Sequence, residues 1–182
     1  MSEYSFRPVE ESDLDFLADH RNDPEVNQNL TSVLPVLKDK QKNWLASLGG
    51  DNYYFIGLHN GSPIAFLRLN DIDWVNRNAA VGLDIFKEYR GLHRAKPMLG
   101  TLVRYCFMEL NLHRLWLLVL ATNEVAIKVY EGVGFQNEGI QREHITSPSS
   151  RRMIAFSQRL ARTCTSSRAW WNSTRRRSMC RR

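Results

Sequence analysis

Cysteine is scarce in this chain and long hydrophobic runs are missing, and both absences narrow what the protein can be. Its three cysteines, Cys106, Cys164 and Cys180, form neither a disulfide framework nor a metal-ligand spacing. No apolar stretch approaches the roughly 20 residues that cross a bilayer, so we expect no membrane partner. The start, MSEYSFRPVEE, lacks a basic segment followed by an apolar one and does not read as a secretory leader. None of the histidines falls in an HExxH or Cys/His pattern, and we expect no metal. No serine stands in a Gly-x-Ser-x-Gly elbow, which argues against that hydrolase class. A cytoplasmic protein with reduced thiols is the simplest reading.

Acid is absent from residues 161–182, which hold seven arginines. Taking those seven from the 25 basic residues leaves 18 against 19 acids, so the body is near −1 and the formal charge of +6 belongs to the tail. No apolar period runs through the tail. We read residues 1–160 as one domain and 161–182 as a basic appendage, disordered or non-native. A nucleic-acid-binding arm is its physical alternative, because arginines neutralise phosphates.

Within 1–160 the pattern is mixed α/β: one central, mostly antiparallel sheet with helices on both faces. Tyr4–Pro8 reads as a strand. A helix with Leu14, Phe16 and Leu17 follows, with Ser12 as its expected cap. Residues 24–29 suggest a second short helix, and 35–48 one amphipathic helix stopped by Gly49-Gly50. Asn60-Gly61 predicts a hairpin between YYFIGLH and SPIAFLRLNDI. Residues 71–78 read as a polar connection and 79–86 as a strand. The spacing predicts a helix over 94–109, with Pro97 tolerated in its first turns. Leu115–Leu120 is nearly all apolar, as in a strand covered on both faces. Thr122 or Asn123 caps a last helix that Gly132 and Gly134 end, and strands over 135–139 and 152–158 complete the sheet.

Two segments can carry chemistry. KEYRGLHRA joins a strand to a helix N-terminus, where unsatisfied N–H groups and the helix dipole can hold a pyrophosphate. Arg90 and Arg94 add charge there, and Gly91 permits a tight backbone. In NEVAIKVYEGVGF, Asn123, Ala126 and Tyr130 share one helix face. Asn123 can bond an extended amide ligand, Ala126 leaves room, and Tyr130 places a phenol able to donate a proton to a departing thiolate. A helix cap and a core aromatic are the plain readings of Asn123 and Tyr130.

The run VGLDIFKEYRGLHRAKPMLG…LATNEVAIKVYEGVGFQNEG resembles the acetyl-CoA-binding core of the GNAT N-acetyltransferases, in the ribosomal-protein and diamine branch. The resemblance covers about residues 4–160. It implies the GNAT acyl-CoA N-acyltransferase fold and acetyl-CoA as the acyl donor. It places Gly82, Leu83, Asp84 and Ile85 against the pantetheine arm and Arg90, Gly91, Leu92, His93, Arg94 and Ala95 around the phosphates. Asn123 and Ala126 would then contact the arm, and Tyr130 would protonate the thiolate. His93 replaces the family's middle loop glycine. A free amine would attack the thioester directly through a tetrahedral intermediate. For the base, Asp84, Glu143 and His144 are candidates beside a water relay; Ala80 and Val81 stand where some members carry an acid.

The implied acceptor is a small-molecule or protein amine, drawn toward the acids Asp13, Asp15, Asp19, Asp23 and Glu25. We expect a protein or peptide N-terminal amine, with polyamine and amino-sugar acceptors as alternatives. A non-catalytic acyl-CoA-binding module and a nucleic-acid binder acting through the tail are the competing classes. We expect a monomer or homodimer.

Overall fold

The computed structural model describes residues 3–27, 34–142 and 152–159. Among these residues seven strands form one sheet: β1 (Tyr4–Pro8), β2 (Tyr53–His59), β3 (Ser62–Asp73), β4 (Asn78–Ile85), β5 (Arg114–Leu120), β6 (Gln136–Arg142) and β7 (Arg152–Arg159). Their spatial order is β1-β2-β3-β4-β5-β7-β6. Only the β4–β5 pairing is parallel, and every other neighbouring pair is antiparallel.

The hairpin signal holds: Asn60 and Gly61 both adopt left-handed φ, 50° and 83°, as the tight turn between β2 and β3 requires. β3 covers the expected SPIAFLRLNDI and one residue more, Asp73, with an irregularity in its pairing to β4 between Asn70 and Asp73.

The helices are α1 (Leu14–Asn22), α2 (Pro24–Asn27), α3 (Gln41–Ala46), α4 (Ala95–Met108) and α5 (Glu124–Val133). Ser12 does not cap the first of them. Glu10 and Asp13 form a capping box around a 3-10 turn instead, and Arg7 holds Asp13 at 2.7 Å. The helix expected over 35–48 is shorter: residues 34–37 are not helical, a 3-10 turn occupies Lys38–Lys40, and α3 follows. Gly132 lies inside α5, and Gly134, at φ 110°, ends it.

The helices divide between the two faces. Met98, Leu99, Leu102, Val103, Cys106 and Phe107 form the buried stripe of α4. They pack with Tyr130 and Val133 of α5 against Leu67, Leu69, Val81, Leu115 and Leu117. Leu14, Leu17, Trp44 and Leu45 cover the opposite face, around Ile56 and Phe86. Contrary to the expectation for the apolar run 115–120, β5 is not sealed on both sides. Leu115, Leu117 and Val119 are buried, whereas Trp116 and Leu118 are half-buried. That second face lines an opening in the sheet.

Candidate active site

The opening follows from strand pairing. β4 and β5 are bonded over only three residue pairs, Asn78–Arg114, Ala79–Leu115 and Ala80–Trp116. Beyond Ala80 the strands part, while β4 stays paired to β3 and β5 to β7. The β5-facing backbone groups of residues 81–85 therefore have no strand partner, which leaves a ladder edge able to bond an extended amide chain. The gap is a cleft of about 950 Å³. Gly82, Leu83, Asp84 and Ile85 line one side, and Trp116, Leu118, Asn123, Ala126 and Tyr130 the other.

At the mouth, Arg90 and Ala95 line the cleft at the two ends of the loop. Gly91 and His93 turn the chain through left-handed φ, 73° and 56°. Histidine thus occupies a backbone position that favours glycine. Among the described residues, no backbone carbonyl accepts from the N–H groups of residues 91–96, and Pro97 carries none. Free N–H groups at the start of the 14-residue α4 suit a pyrophosphate. Arg94 points elsewhere: its guanidinium meets His59 Nδ1 at 3.1 Å and lies 5.4 Å from the Tyr89 ring centre. Leu92 is exposed.

Asn123 caps α5, with its Oδ1 accepting the Ala126 N–H at 3.1 Å. Only its side-chain N–H₂ is left for a ligand carbonyl. One helical face carries Ala126 and then Tyr130 into the cleft. Tyr130 is buried, in ring contact with Phe135 and Phe156. Burial, then the charge of Asp84, pushes its phenol up to about 12, with Arg68 opposing. At neutral pH it keeps its proton.

Register puts Phe66 opposite Asp84, Arg68 opposite Gly82 and Asn70 opposite Ala80, so these side chains share the face away from α4. Arg68 donates to Asp84 at 3.2 Å. Neither Arg68 nor Asn70 was singled out from the sequence, although alternation in FLRLN carries the signal. A polar residue at every second position marks a strand face that meets neither water alone nor a core. Glu143, His144 and the tail lie outside the described residues.

The acidic wall foreseen on the N-terminal helices is in part neutralised within the chain. Asp13 pairs with Arg7 and Asp19 with Lys38, as Glu11, outside that set, pairs with Lys42. The carboxylates that line the cleft are Glu25, Asp71, Asp84 and Glu124, with Arg68 and Arg90 as the cations. Glu25 is engaged by Lys87 and Arg90 at 3.0 and 3.3 Å. Among the described residues, no cluster of three or more His, Cys, Asp or Glu could hold a metal ion, and no helix is long and apolar enough to cross a membrane.

A sheet split between two parallel strands, a phosphate-ready helix start and a buried phenol define a site for an acyl-CoA thioester. Residues 5–136 match the family model described as the acetyltransferase (GNAT) domain. The chain belongs to the GNAT family of acetyl-CoA-dependent N-acetyltransferases. It is 35% identical over 86 residues to YdaF of Bacillus subtilis strain 168, a candidate ribosomal N-acetyltransferase, a match covering 47% of each chain. Spermidine N(1)-acetyltransferase of Vibrio cholerae is 33% identical over 76 residues, 42% of this chain and 44% of that protein. These aligned stretches span about half the length of either relative. The crystal structure of spermidine N-acetyltransferase from Vibrio cholerae with CoA and spermine shares the fold, at TM-score 0.81 and 22% identity, over 87% of this chain and 96% of that one. The expectation of a monomer or homodimer is corrected by a dodecameric structure of the Vibrio cholerae enzyme, of the same fold at TM-score 0.73. The monomer–homodimer reading took no account of surfaces between copies, which composition and motifs do not reveal.

Proposed function

We propose that this protein transfers an acetyl group from acetyl-CoA to a primary amine of a polyamine. The thioester supplies the activated acyl group. The ladder edge 81–85, Asn123, Arg90 and the loop N–H groups would hold the donor, and Tyr130 would give its Oη proton to the sulfur that departs. A phenol at about 12 is a weak acid against an ordinary thiol near 8.5. Burial moves sulfur as well: the buried Cys106 thiol is pushed up to about 12. Exclusion of water around the departing sulfur raises its basicity in the same direction, which narrows the gap to the Tyr130 phenol. Asp84, steadied by Arg68, is the carboxylate placed to take the amine proton.

The observation that carries the acceptor class is the charge of the cleft wall, four carboxylates against two guanidiniums among the described residues, which draws cations. The likeness to spermidine acetyltransferases supports the polyamine over the protein N-terminal amine first expected. Arg68 alone favours a second reading, a peptide α-amine whose adjacent carbonyl meets a guanidinium. A cytoplasmic setting, where thiols such as Cys106 stay reduced, belongs to the same proposal. Release of free thiol from acetyl-CoA tests it: turnover with spermidine well above that with a peptide α-amine is expected. The reverse order would overturn the polyamine reading.

A further inference from the structure

One polar atom of the cleft has no use in the scheme above. Asn70 lines the cleft, yet its Oδ1 is closed off from water and accepts no hydrogen bond among the described residues. A buried carbonyl oxygen without a donor is costly and is kept where something else fills it. The position is singular in the topology. Asn70 pairs with Ala80, and Ala80 with Trp116, so these three residues cross the sheet in one line. That line is the last rung before β4 and β5 part. It is also where the regular β3–β4 register ends, and such irregularities gather beside active sites. Ala80 is small and leaves the space above the rung to the amide. Tyr54, opposite Arg68 on the neighbouring strand, stands on the same face beside Asn70. One and two rungs further along the same face follow Arg68 with Gly82 and then Asp84.

We propose that Asn70 is a substrate-binding residue: its Oδ1 takes an N–H of the acceptor amine and fixes the nitrogen at the closed end of the split. This rests on the amine-acetylation reading. Asparagine's terminal torsion is broad, so the carbonyl turns into the cleft without moving the strand. A primary amine then offers one N–H to Asn70 and directs a second toward Asp84, with the Tyr130 phenol approaching through the opening from the helix side. In its neutral, attacking form a secondary amine has one N–H and cannot serve both, which selects primary over secondary nitrogens.

The test uses the full chain, saturating acetyl-CoA and spermidine as the varied acceptor. Asn70→Ala should raise KM for spermidine about tenfold, the size of one lost hydrogen bond to a charged group. The acetyl-CoA Kd should stay at the wild-type value, and Asn70→Asp, which keeps an acceptor oxygen, should retain the wild-type KM. If Asn70→Ala does not fold, Asn70→Leu, close to asparagine in shape and without an acceptor, replaces it with the same expectation. Wild-type KM and kcat in a folded Asn70→Ala or Asn70→Leu protein would overturn the role of Asn70 and leave amine acetylation standing. No turnover by the wild-type protein with any primary amine would overturn both.

Discussion

The guanidinium of Arg68 occupies the space that a side chain on Gly82 would need: a Cβ there would stand 2.7 Å from Arg68 Nε. Gly82 has no left-handed φ, so its absent side chain serves the arginine and not the turn of the backbone. The pair places Arg68 against Asp84 and one rung from the closed end of the split.

Gly82→Ala is therefore expected to fold, with a stability cost below about 1 kcal/mol, because the colliding group is a movable side chain. It should lower kcat/KM by displacing Arg68. Combined with Arg68→Ala it should be non-additive by about 1 kcal/mol or more in a double-mutant cycle, since both changes remove one guanidinium from one place. Additive losses would mean that Gly82 and Arg68 act separately.

Tyr130→Phe should lower kcat by about 100-fold or more while leaving acetyl-CoA affinity near the wild-type value, the pattern of a lost proton donor. Calorimetry for the donor and initial rates for turnover check it together. Unchanged kcat removes Tyr130 as the donor.

The same phenol shapes stability at high pH. Its folded pKa, about 12, lies above the ordinary value of 10.0. Its contribution is whole below pH 10.0 and is lost as pH rises toward about 12, because only the folded state still holds the proton there. The loss amounts to roughly 2–3 kcal/mol. Denaturant midpoints across that window should fall less steeply for Tyr130→Phe than for wild type. Cys106, raised to about 12 from 9.0 by burial, contributes in the same direction to both proteins and cancels in the comparison.

Backbone conformation makes His93 a second point of test. At φ 56° a glycine is at ease, a histidine is tolerated, and a β-branched residue is not. His93→Gly should keep stability within about 1 kcal/mol and keep acetyl-CoA binding, whereas His93→Val should cost about 1 kcal/mol or more and weaken binding. Thermal melts and calorimetry decide this. Equal behaviour of the two variants would show that the loop does not need that turn.

Local signals made most of the frame legible. Asn60-Gly61 announced its hairpin, the apolar stripe of 98–107 its helix, and Asn123 its cap. Helix starts were less legible where two capping groups compete: Ser12 looked the better cap, but the Glu10–Asp13 box and Arg7 decide the turn. At the site, the residues after Val81 and around Asn123 were visible because they follow chain order. Arg68 and Asn70 were not, because they reach the cleft only through strand register, from a segment of unremarkable composition. The acids of residues 11–25 were visible as a cluster, yet the lysines that pair with Glu11 and Asp19, Lys42 and Lys38, come from a distant segment, so that neutralisation could not be read in sequence.

Titration of the full chain with acetyl-CoA in a calorimeter is the most direct test of the cleft between β4 and β5 as the donor site. One saturable site per chain is expected, with a dissociation constant below about 1 mM. No heat of binding up to that concentration would contradict it.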